Sequence, residues 1–469
     1  MLRRFEGCAP GATILRSMSA KASEGRLRGD LAKSLWDGVF FSLMVGLGET
    51  YLPAFTLALG HGDVLAGLVA TVPMLAGSIL QLATPRAVHR IGSRQRWVVG
   101  CALLQAMVFV PLCVASLLGA LSPFWLFAAA SGYWAAGLGS GPAWTAWVPS
   151  LVPRRLRSSY FAYRTRAAQA AVLVGLVGGG LLLNLADARG YPLIGFAALF
   201  GLAALFRLVS SWLLAAQSEP NRPAASERPL SLVTAFVRMS GREHRQLFAY
   251  LLAVQVAVQV SAPYFTPYML GPLDLSYGQY VLLVATAFFA RIVTLPFWGR
   301  LAHRLGASAL LWIGGLGITP SALPWILTED LRWLFASQVY AGIVWSAYEL
   351  AMFLVLFDRL DDEERTSLLA LYNFANSAAL ALGSLCGGWL LALLGPGAQP
   401  YLVLFGLSTG LRVAVLFLRP RMRPPVPPTP AEPLGTRTIA VRPSLGSIDR
   451  PILPAEPAPK PAERSAGAS

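Results

Sequence analysis

The sequence predicts an all-α integral membrane protein with twelve transmembrane helices in two pseudo-symmetric six-helix bundles. Three observations predict this class. Only 13% of the 469 residues are charged while 55% are apolar, and the charged share is about half of that in an ordinary soluble protein. Apolar runs of membrane-spanning length recur twelve times, and the two halves of the chain carry matching motifs. This composition excludes an ordinary soluble multidomain enzyme.

The twelve apolar runs are read as helices because no unpaired backbone group is tolerated in hydrocarbon. A bilayer core about 30 Å thick requires about 20 helical residues. Prolines and glycines within the runs are tolerated in membrane helices. The predicted spans are 34–59, 63–84, 97–119, 123–147, 165–186, 190–215, 246–270, 277–298, 309–328, 332–357, 367–394 and 400–418.

The basic residues predict the orientation. The formal charge is +15, and 33 of the 38 Lys and Arg residues lie in the two terminal segments and in the loops on the same side of the predicted membrane. Such asymmetry is the positive-inside pattern. We therefore expect a multi-pass protein of the cell inner (plasma) membrane with both termini cytoplasmic. The same asymmetry removes the support for nucleic-acid binding.

The predicted domains follow from these spans. They are an N-terminal tail (1–33), a first bundle (34–215), a cytoplasmic linker (216–245), a second bundle (246–418) and a disordered Pro-rich tail (419–469). The four cysteines form neither a disulfide framework nor a metal-ligand spacing. No phosphate-binding loop of the Gly-x-x-x-x-Gly-Lys-Ser/Thr type occurs. We expect no cofactor and no metal.

An internal repeat relates the two bundles. His89, Arg90 and Gly92 after the second span correspond to His303, Arg304 and Gly306 after the eighth, at an offset of 214 residues. At an offset of 208, glycines of the fifth span correspond to glycines of the eleventh. The paired glycines are Gly175, Gly179 and Gly180 with Gly383, Gly387 and Gly388. Parallel six-helix repeats of this kind are typical of carriers that have a midplane site between the halves.

The segment Gly299-Arg300-Leu301-Ala302-His303-Arg304-Leu305-Gly306 resembles the loop signature of the major facilitator superfamily, and the resemblance covers about residues 34–418. His89 and His303 stand where the family has Asp. The segment Glu49-Thr50-Tyr51-Leu52-Pro53 also resembles that of drug:proton antiporters. This second resemblance implies proton coupling through Glu49.

Three charges within the predicted spans carry the site hypotheses. Glu49 shares a helical stripe with Gly38 and Ser42, which favours a cavity-facing proton site; a carboxyl group that only joins helices is the alternative. We expect Glu349 and Arg291 to form an intramembrane ion pair, since an unpaired charge at that depth is costly. Arg207 and Arg412 lie near helix ends, where snorkelling to the interface is the default expectation.

Uncharged polar and aromatic residues complete the predicted cavity. Amides orient polar or zwitterionic ligands, but they also join neighbouring helices, and the sequence leaves both roles open. Aromatic side chains are suited to an amphipathic ligand. The candidates are Tyr51, Tyr133, Trp144, Gln255, Gln259, Trp345, Asn373 and Asn376.

The leading functional hypothesis is a secondary active transporter that works by alternating access, coupled to a proton or another ion and exporting an amphipathic compound. A uniporter or symporter for a polar nutrient is the alternative within this class. A membrane-embedded enzyme or a non-transporting sensor is the alternative outside it. The expected partners are a small-molecule substrate, the coupling ion and the lipid bilayer, with the protein acting as a monomer and not as an enzyme.

Overall fold

A computed structural model describes residues 10–153, 157–219, 242–359 and 365–418. Most of the predicted linker and the whole predicted Pro-rich tail lie outside the described residues. The predicted N-terminal tail is described only from residue 10 onwards.

Within these ranges the chain forms twelve spanning segments, some of them broken. Their bounds are α1 (Pro10–Leu47 and Leu52–Ala58), α2 (Asp63–Leu68 and Val72–Ile91), α3 (Arg94–Leu118), α4 (Pro123–Leu151), α5 (Arg157–Asp187), α6 (Pro192–Ala215), α7 (Arg242–Gln259 and Phe265–Leu270), α8 (Tyr277–Leu305), α9 (Ala307–Ile318 and Pro324–Leu327), α10 (Leu331–Arg359), α11 (Arg365–Leu394) and α12 (Ala398–Leu416). The predicted all-α membrane fold is confirmed.

Eleven segments of the described chain are long and apolar enough to cross a bilayer, and α4 is the remaining one. Its 29 residues are rich in Gly, Ser, Pro, Tyr and Trp, which lower its mean hydropathy. It nevertheless packs against α2 and α3 along its length. The span predicted over 123–147 is therefore present as a helix.

The helices that carry the repeated motif are longer than predicted. The spans predicted to end at residues 84 and 298 continue to Ile91 and Leu305. His89, Arg90, His303 and Arg304 therefore lie in exposed last turns, and Gly299 lies within α8. Gly92 and Gly306 follow the two helices with positive φ angles of 69° and 84°, a conformation that glycine adopts without steric cost.

The first helix of each half is broken at the corresponding place. A 3₁₀ turn over Glu49–Tyr51 interrupts α1, and another over Ala262–Tyr264 interrupts α7. Proline lacks the backbone N–H and its ring crowds the preceding turn, and Pro53 and Pro263 lie at these breaks. The breaks change the rotation per residue, since a 3₁₀ turn has about 3.0 residues per turn.

The repeated glycines mark close helix packing in both halves. The hydroxyl of Tyr51 on α1 donates to the carbonyl of Leu176 on α5, and that of Tyr264 on α7 donates to the carbonyl of Ser384 on α11. A side-chain carbon added at Gly179 would lie 2.7 Å from Tyr51 Cε2. The internal repeat therefore corresponds to two equivalent helix pairs.

The two halves meet at one end of the molecule. We call this end, which carries the short turns α1–α2, α3–α4 and α5–α6 and their counterparts in the second half, the distal side; the opposite end, where α1 begins and α12 ends, is the terminus side. The largest buried apolar cluster draws residues from both halves and lies towards the distal side. Towards the terminus side, two clusters of the described residues each belong to one half. A small cluster of Val172 and Phe288 joins the halves near the middle of α5 and α8.

Hydrogen bonds between the halves lie on the same side as the shared cluster. Thr71 Oγ1 on α2 lies 2.5 Å from Ser384 Oγ on α11, and Gly278 N on α8 donates to Asn184 Oδ1 on α5 at 3.3 Å. Phe196 and Tyr277 pack edge to face with ring centroids 5.9 Å apart. The molecule is therefore closed on the distal side.

Candidate functional site

A cavity of about 200 Å³ lies among α7, α8, α9, α10 and α12. Thr50, in the break of α1, contributes to the wall from the other half. The polar part of the wall includes Gln255 and Gln259 on α7 and Gln338 on α10. Phe265, Trp325 and Trp345 supply aromatic surface. The wall thus combines a few polar groups with apolar surface, as ligand sites do.

An ion pair forms one part of this wall. Arg291 Nη1 on α8 lies 3.1 Å from Glu349 Oε1 on α10, and both side chains are largely buried. The Arg291 guanidinium also lies 6.0 Å from the ring centroid of Trp345. The two residues expected from the sequence to pair are therefore together, and they border the cavity.

Arg412 on α12 also borders the cavity and does not snorkel. Its side chain is buried, and Nη1 donates to Ile318 O at 3.0 Å and to Ser321 Oγ at 2.8 Å. Nη2 donates to Ser261 Oγ at 3.3 Å. The prediction that Arg412 reaches the membrane interface is wrong, because these acceptors, on α9 and α7, hold its guanidinium inside the bundle.

Several polar atoms at the cavity wall have no hydrogen-bond partner among the described residues. They are Gln259 Oε1, Tyr348 Oη and Arg412 Nε. All three residues are buried. Buried polar groups are normally hydrogen-bonded, because an unpaired one costs free energy. Three buried residues of the cavity wall therefore keep hydrogen-bonding capacity that no described residue uses.

Glu49 lies in the first half and outside the set of residues that line the cavity. It is buried, and its Oε2 accepts a hydrogen bond of 2.7 Å from Tyr133 Oη on α4. The expectation of a cavity-facing Glu49 assumed a continuous helical stripe, whereas α1 breaks after Leu47. The adjacent Thr50 faces the cavity instead.

Other candidates from the sequence also lie away from the cavity. Tyr133 bonds Glu49, Tyr51 bonds the backbone of α5, and Trp144 lies beneath the Arg164 guanidinium at 4.8 Å. Asn373 and Asn376 on α11 are half-buried and do not line it. Of the eight candidates, Gln255, Gln259 and Trp345 are the three that border it.

The sequence analysis missed a buried polar network in the first half. Arg207 on α6 donates to Gln105 Oε1 from Nε at 3.0 Å and from Nη2 at 2.7 Å, and to Ser210 Oγ from Nη1. Ser210 donates to Asp37 Oδ1 at 2.7 Å, and Arg164 Nη2 lies 3.2 Å from Asp37 Oδ2. Arg207 therefore does not snorkel either. The acidic Asp37 in an apolar run was the available signal.

Within the described residues, no group of three or more His, Cys, Asp or Glu side chains could hold a metal ion. The ionic groups that border the cavity are Arg291, Glu349 and Arg412.

Comparison with known proteins gives a family and a fold. The family model described as Major Facilitator Superfamily matches residues 247–458. The nucleoside transporter NupG aligns with a TM-score of 0.64 at 12% identity, over 83% of this chain and 98% of NupG. A bacterial homolog of the human lysosomal transporter Spinster, in an inward-facing and unoccupied conformation, aligns with a TM-score of 0.55 at 17% identity, over 84% of this chain and 94% of that chain. No curated protein sequence matches this chain.

The structural likenesses show the fold, since the identities are low, and the family model supplies the sequence signature. The twelve spanning segments and the repeated motif agree with both. The family match over residues 247–458 and the fold of the described residues together support a membrane transporter of the major facilitator superfamily.

Proposed function

We propose that this transporter moves a small polar solute through the cavity bordered by α7, α8 and α10, by alternating access. The main support for this proposal is the set of polar side chains in the cavity wall. Gln255, Gln259 and Gln338 lie around a cavity that also touches the first half through Thr50. Amide groups can donate and accept hydrogen bonds, so they replace the water that a polar solute loses on entry.

A polar solute fits this wall better than an amphipathic one. Aromatic candidates of the first half, Tyr133 and Trp144, are engaged by Glu49 and Arg164 away from the cavity. The charged groups Arg291, Glu349 and Arg412 border it instead. Transport of a polar nutrient is therefore favoured over export of an amphipathic compound. The gradients of the solute and the coupling ion set the direction of transport.

The way in which the halves contact each other supports the proposal of alternating access. The apolar cluster shared by the halves closes the distal side, whereas the clusters of the terminus side each belong to one half in the described chain. A rocking motion of two six-helix units around a midplane site exchanges such an arrangement for its opposite. We infer that the present state exposes the site to the terminus side.

We infer that proton exchange at Glu49 couples the gradient to transport. Its carboxylate is held by Tyr133 of α4, while the neighbouring Thr50 borders the cavity. Protonation changes the charge in the break of α1 by one unit and lets the carboxyl group donate as well as accept a hydrogen bond. Such a change at the break can reposition Thr50 relative to the second half.

Flux in proteoliposomes tests this proposal. Polar solutes (nucleosides, amino acids and sugars, radiolabelled) are presented with and without an imposed pH gradient. We expect the gradient to accelerate wild-type flux of at least one solute, and Glu49→Gln to retain downhill flux without a response to the gradient. Glu329→Gln is the matched control, because Glu329 is exposed on a distal turn. A pH-driven flux that persists in Glu49→Gln would contradict the proposal that Glu49 couples transport to the proton gradient.

The basic residues of the terminal segments and neighbouring loops support a cytoplasmic location for both termini. We propose a monomer in the plasma (inner) membrane, since the cavity is built within one chain. Under this orientation, the cavity of the present state is accessible from the cytoplasm.

A further inference from the structure

The charge of Arg412 differs from the other charges at the cavity wall in what surrounds it. Its three hydrogen-bond acceptors are one backbone carbonyl and two serine hydroxyls, all neutral. Its Nε is buried without a partner among the described residues. Only 4% of the residue is exposed. Arg412 is thus a buried cation whose three observed hydrogen bonds leave two of its five N–H donors unused, one on Nε and one on Nη2.

The neighbouring ion pair does not neutralise this charge. Glu349 lies 3.1 Å from Arg291 Nη1, so one negative and two positive side chains border the cavity. The formal charge of the wall is therefore +1. A charge held inside a membrane protein is costly unless it is paired or faces water, and an anion entering the cavity would supply the missing charge.

A guanidinium is suited to this role by its chemistry. It stays protonated and presents its donors in a fixed plane that matches the oxygens of carboxylate and phosphate groups. Tyr348 Oη and Gln259 Oε1 belong to residues of the same wall and have no hydrogen-bond partner among the described residues. The cavity of about 200 Å³ limits the solute to a small molecule.

We propose that Arg412 anchors the anionic group of the transported solute, and that the cavity takes small organic anions carrying a carboxylate or a phosphate group. The proposal rests on the proposed function, since it takes this cavity to be the transport site. Arg291 and Glu349 then stay paired beside the ligand, while Gln255, Gln259 and Gln338 contact its uncharged part.

Arg207 in the first half provides the natural comparison. It is also a buried arginine of the last helix of its bundle, but Nε and Nη2 both donate to Gln105, and Ser210 links Nη1 to Asp37. It does not border the cavity. Arg207 is therefore part of a hydrogen-bonded network, whereas Arg412 borders the cavity.

Binding to the purified full-length protein in detergent tests the proposal. Thermal shifts are measured at constant ionic strength with matched probes: lactate and lactamide, nicotinate and nicotinamide, glycerol 3-phosphate and glycerol. We expect at least one acid to raise the melting temperature at concentrations where its neutral counterpart does not. In Arg412→Gln, we expect the concentration for half-maximal stabilisation to rise at least tenfold.

Two variants serve as controls. Arg207→Gln removes a buried arginine outside the cavity, and we expect its half-maximal concentration to stay within twofold of wild type. Arg412→Lys keeps the charge and loses the planar fork, and we expect weaker binding of the same acid; it also replaces Arg412→Gln if that variant does not fold. The carboxylate and phosphate probes separate the two anion classes.

Three results would overturn the anion site: equal shifts for acid and neutral counterpart, no shift with any acid, or an unchanged half-maximal concentration in the Arg412 variants. The readout needs no flux, so it is independent of coupling. Acids that bind through Arg412 but are not transported in proteoliposomes would leave the site standing and remove the proposed transport. Neutral solutes that are transported while no acid binds would do the reverse.

Discussion

The two halves of this transporter share a backbone plan but place their buried charges differently. In the first half, Asp37, Arg164 and Arg207 join α1, α5 and α6 in a hydrogen-bonded network. In the second, Arg412 and the Arg291–Glu349 pair border a cavity. The comparison teaches that the repeat specifies helix packing, whereas the polar residues form a hydrogen-bonded network in one half and part of a cavity wall in the other.

Breaking the cavity ion pair has the largest expected effect. Glu349→Arg puts a cation beside Arg291 and leaves the buried wall with three arginines. Removing one partner of a buried pair costs about 3–5 kcal/mol, and we expect a lower melting temperature with at least tenfold lower solute flux. The Arg291→Glu and Glu349→Arg double variant restores opposite charges and should recover much of both. A double variant no better than the single ones would contradict a direct pairing.

A substitution in the hydrogen-bonded network of the first half should lower thermal stability without weakening solute binding. Asp37→Asn keeps an acceptor for Ser210 but removes the charge that faces Arg164 at 3.2 Å. Hydrogen bonds to charged groups contribute about 1.5–3 kcal/mol, and we expect the melting temperature to fall accordingly.

The half-maximal concentration of a stabilising acid should stay unchanged in Asp37→Asn, because Asp37 lies away from the cavity. Asp187→Asn, at an exposed position, is the matched control, and surface changes of this kind stay within about 0.5 kcal/mol. Loss of binding at full thermal stability would show that the first half takes part in the site, and the contrast between the halves would fail.

The fold could be predicted because it depends on sums over many residues. Twelve apolar runs, one-sided basic residues and a repeated glycine pattern each average over long stretches, so errors of a few residues at helix ends do not change the topology. The helix ends at Ile91 and Leu305 lie seven residues beyond the predicted spans, and α1 begins at Pro10, 24 residues before its predicted start. Apolar content marks the hydrocarbon region, and these helices continue past it.

The site could be predicted only where a residue has few alternatives. Arg291 and Glu349 were expected to pair because an isolated charge at that depth is costly. Glu49 was placed on a cavity-facing stripe that the break in α1 removes. Arg412 was expected to reach the interface, because sequence position does not show that Ser261 and Ser321, on other helices, hold its guanidinium.

The prediction with the smallest expected effect tests whether the two halves pack their helices in the same way. Gly179→Ala adds a carbon that would lie 2.7 Å from Tyr51 Cε2, and Gly387→Ala adds one that would lie 2.1 Å from Val260 O and 2.8 Å from Tyr264 Cε2. Overpacking of this kind costs about 1–3 kcal/mol, so both variants should melt at lower temperature than wild type. Each glycine contacts the corresponding tyrosine of its own half, but the loss should be larger for Gly387→Ala, because the backbone carbonyl of Val260 has less freedom to move aside than a tyrosine ring.

Gly178→Ala separates close packing from helix propensity. No atom lies within 4 Å of a carbon added at Gly178, and alanine is favoured over glycine in a helix interior by about 1 kcal/mol. Its melting temperature should therefore equal or exceed that of wild type. If Gly179→Ala behaves like Gly178→Ala while Gly387→Ala is destabilised, the helix pairs are not equivalent, and the halves differ in packing as well as in charge.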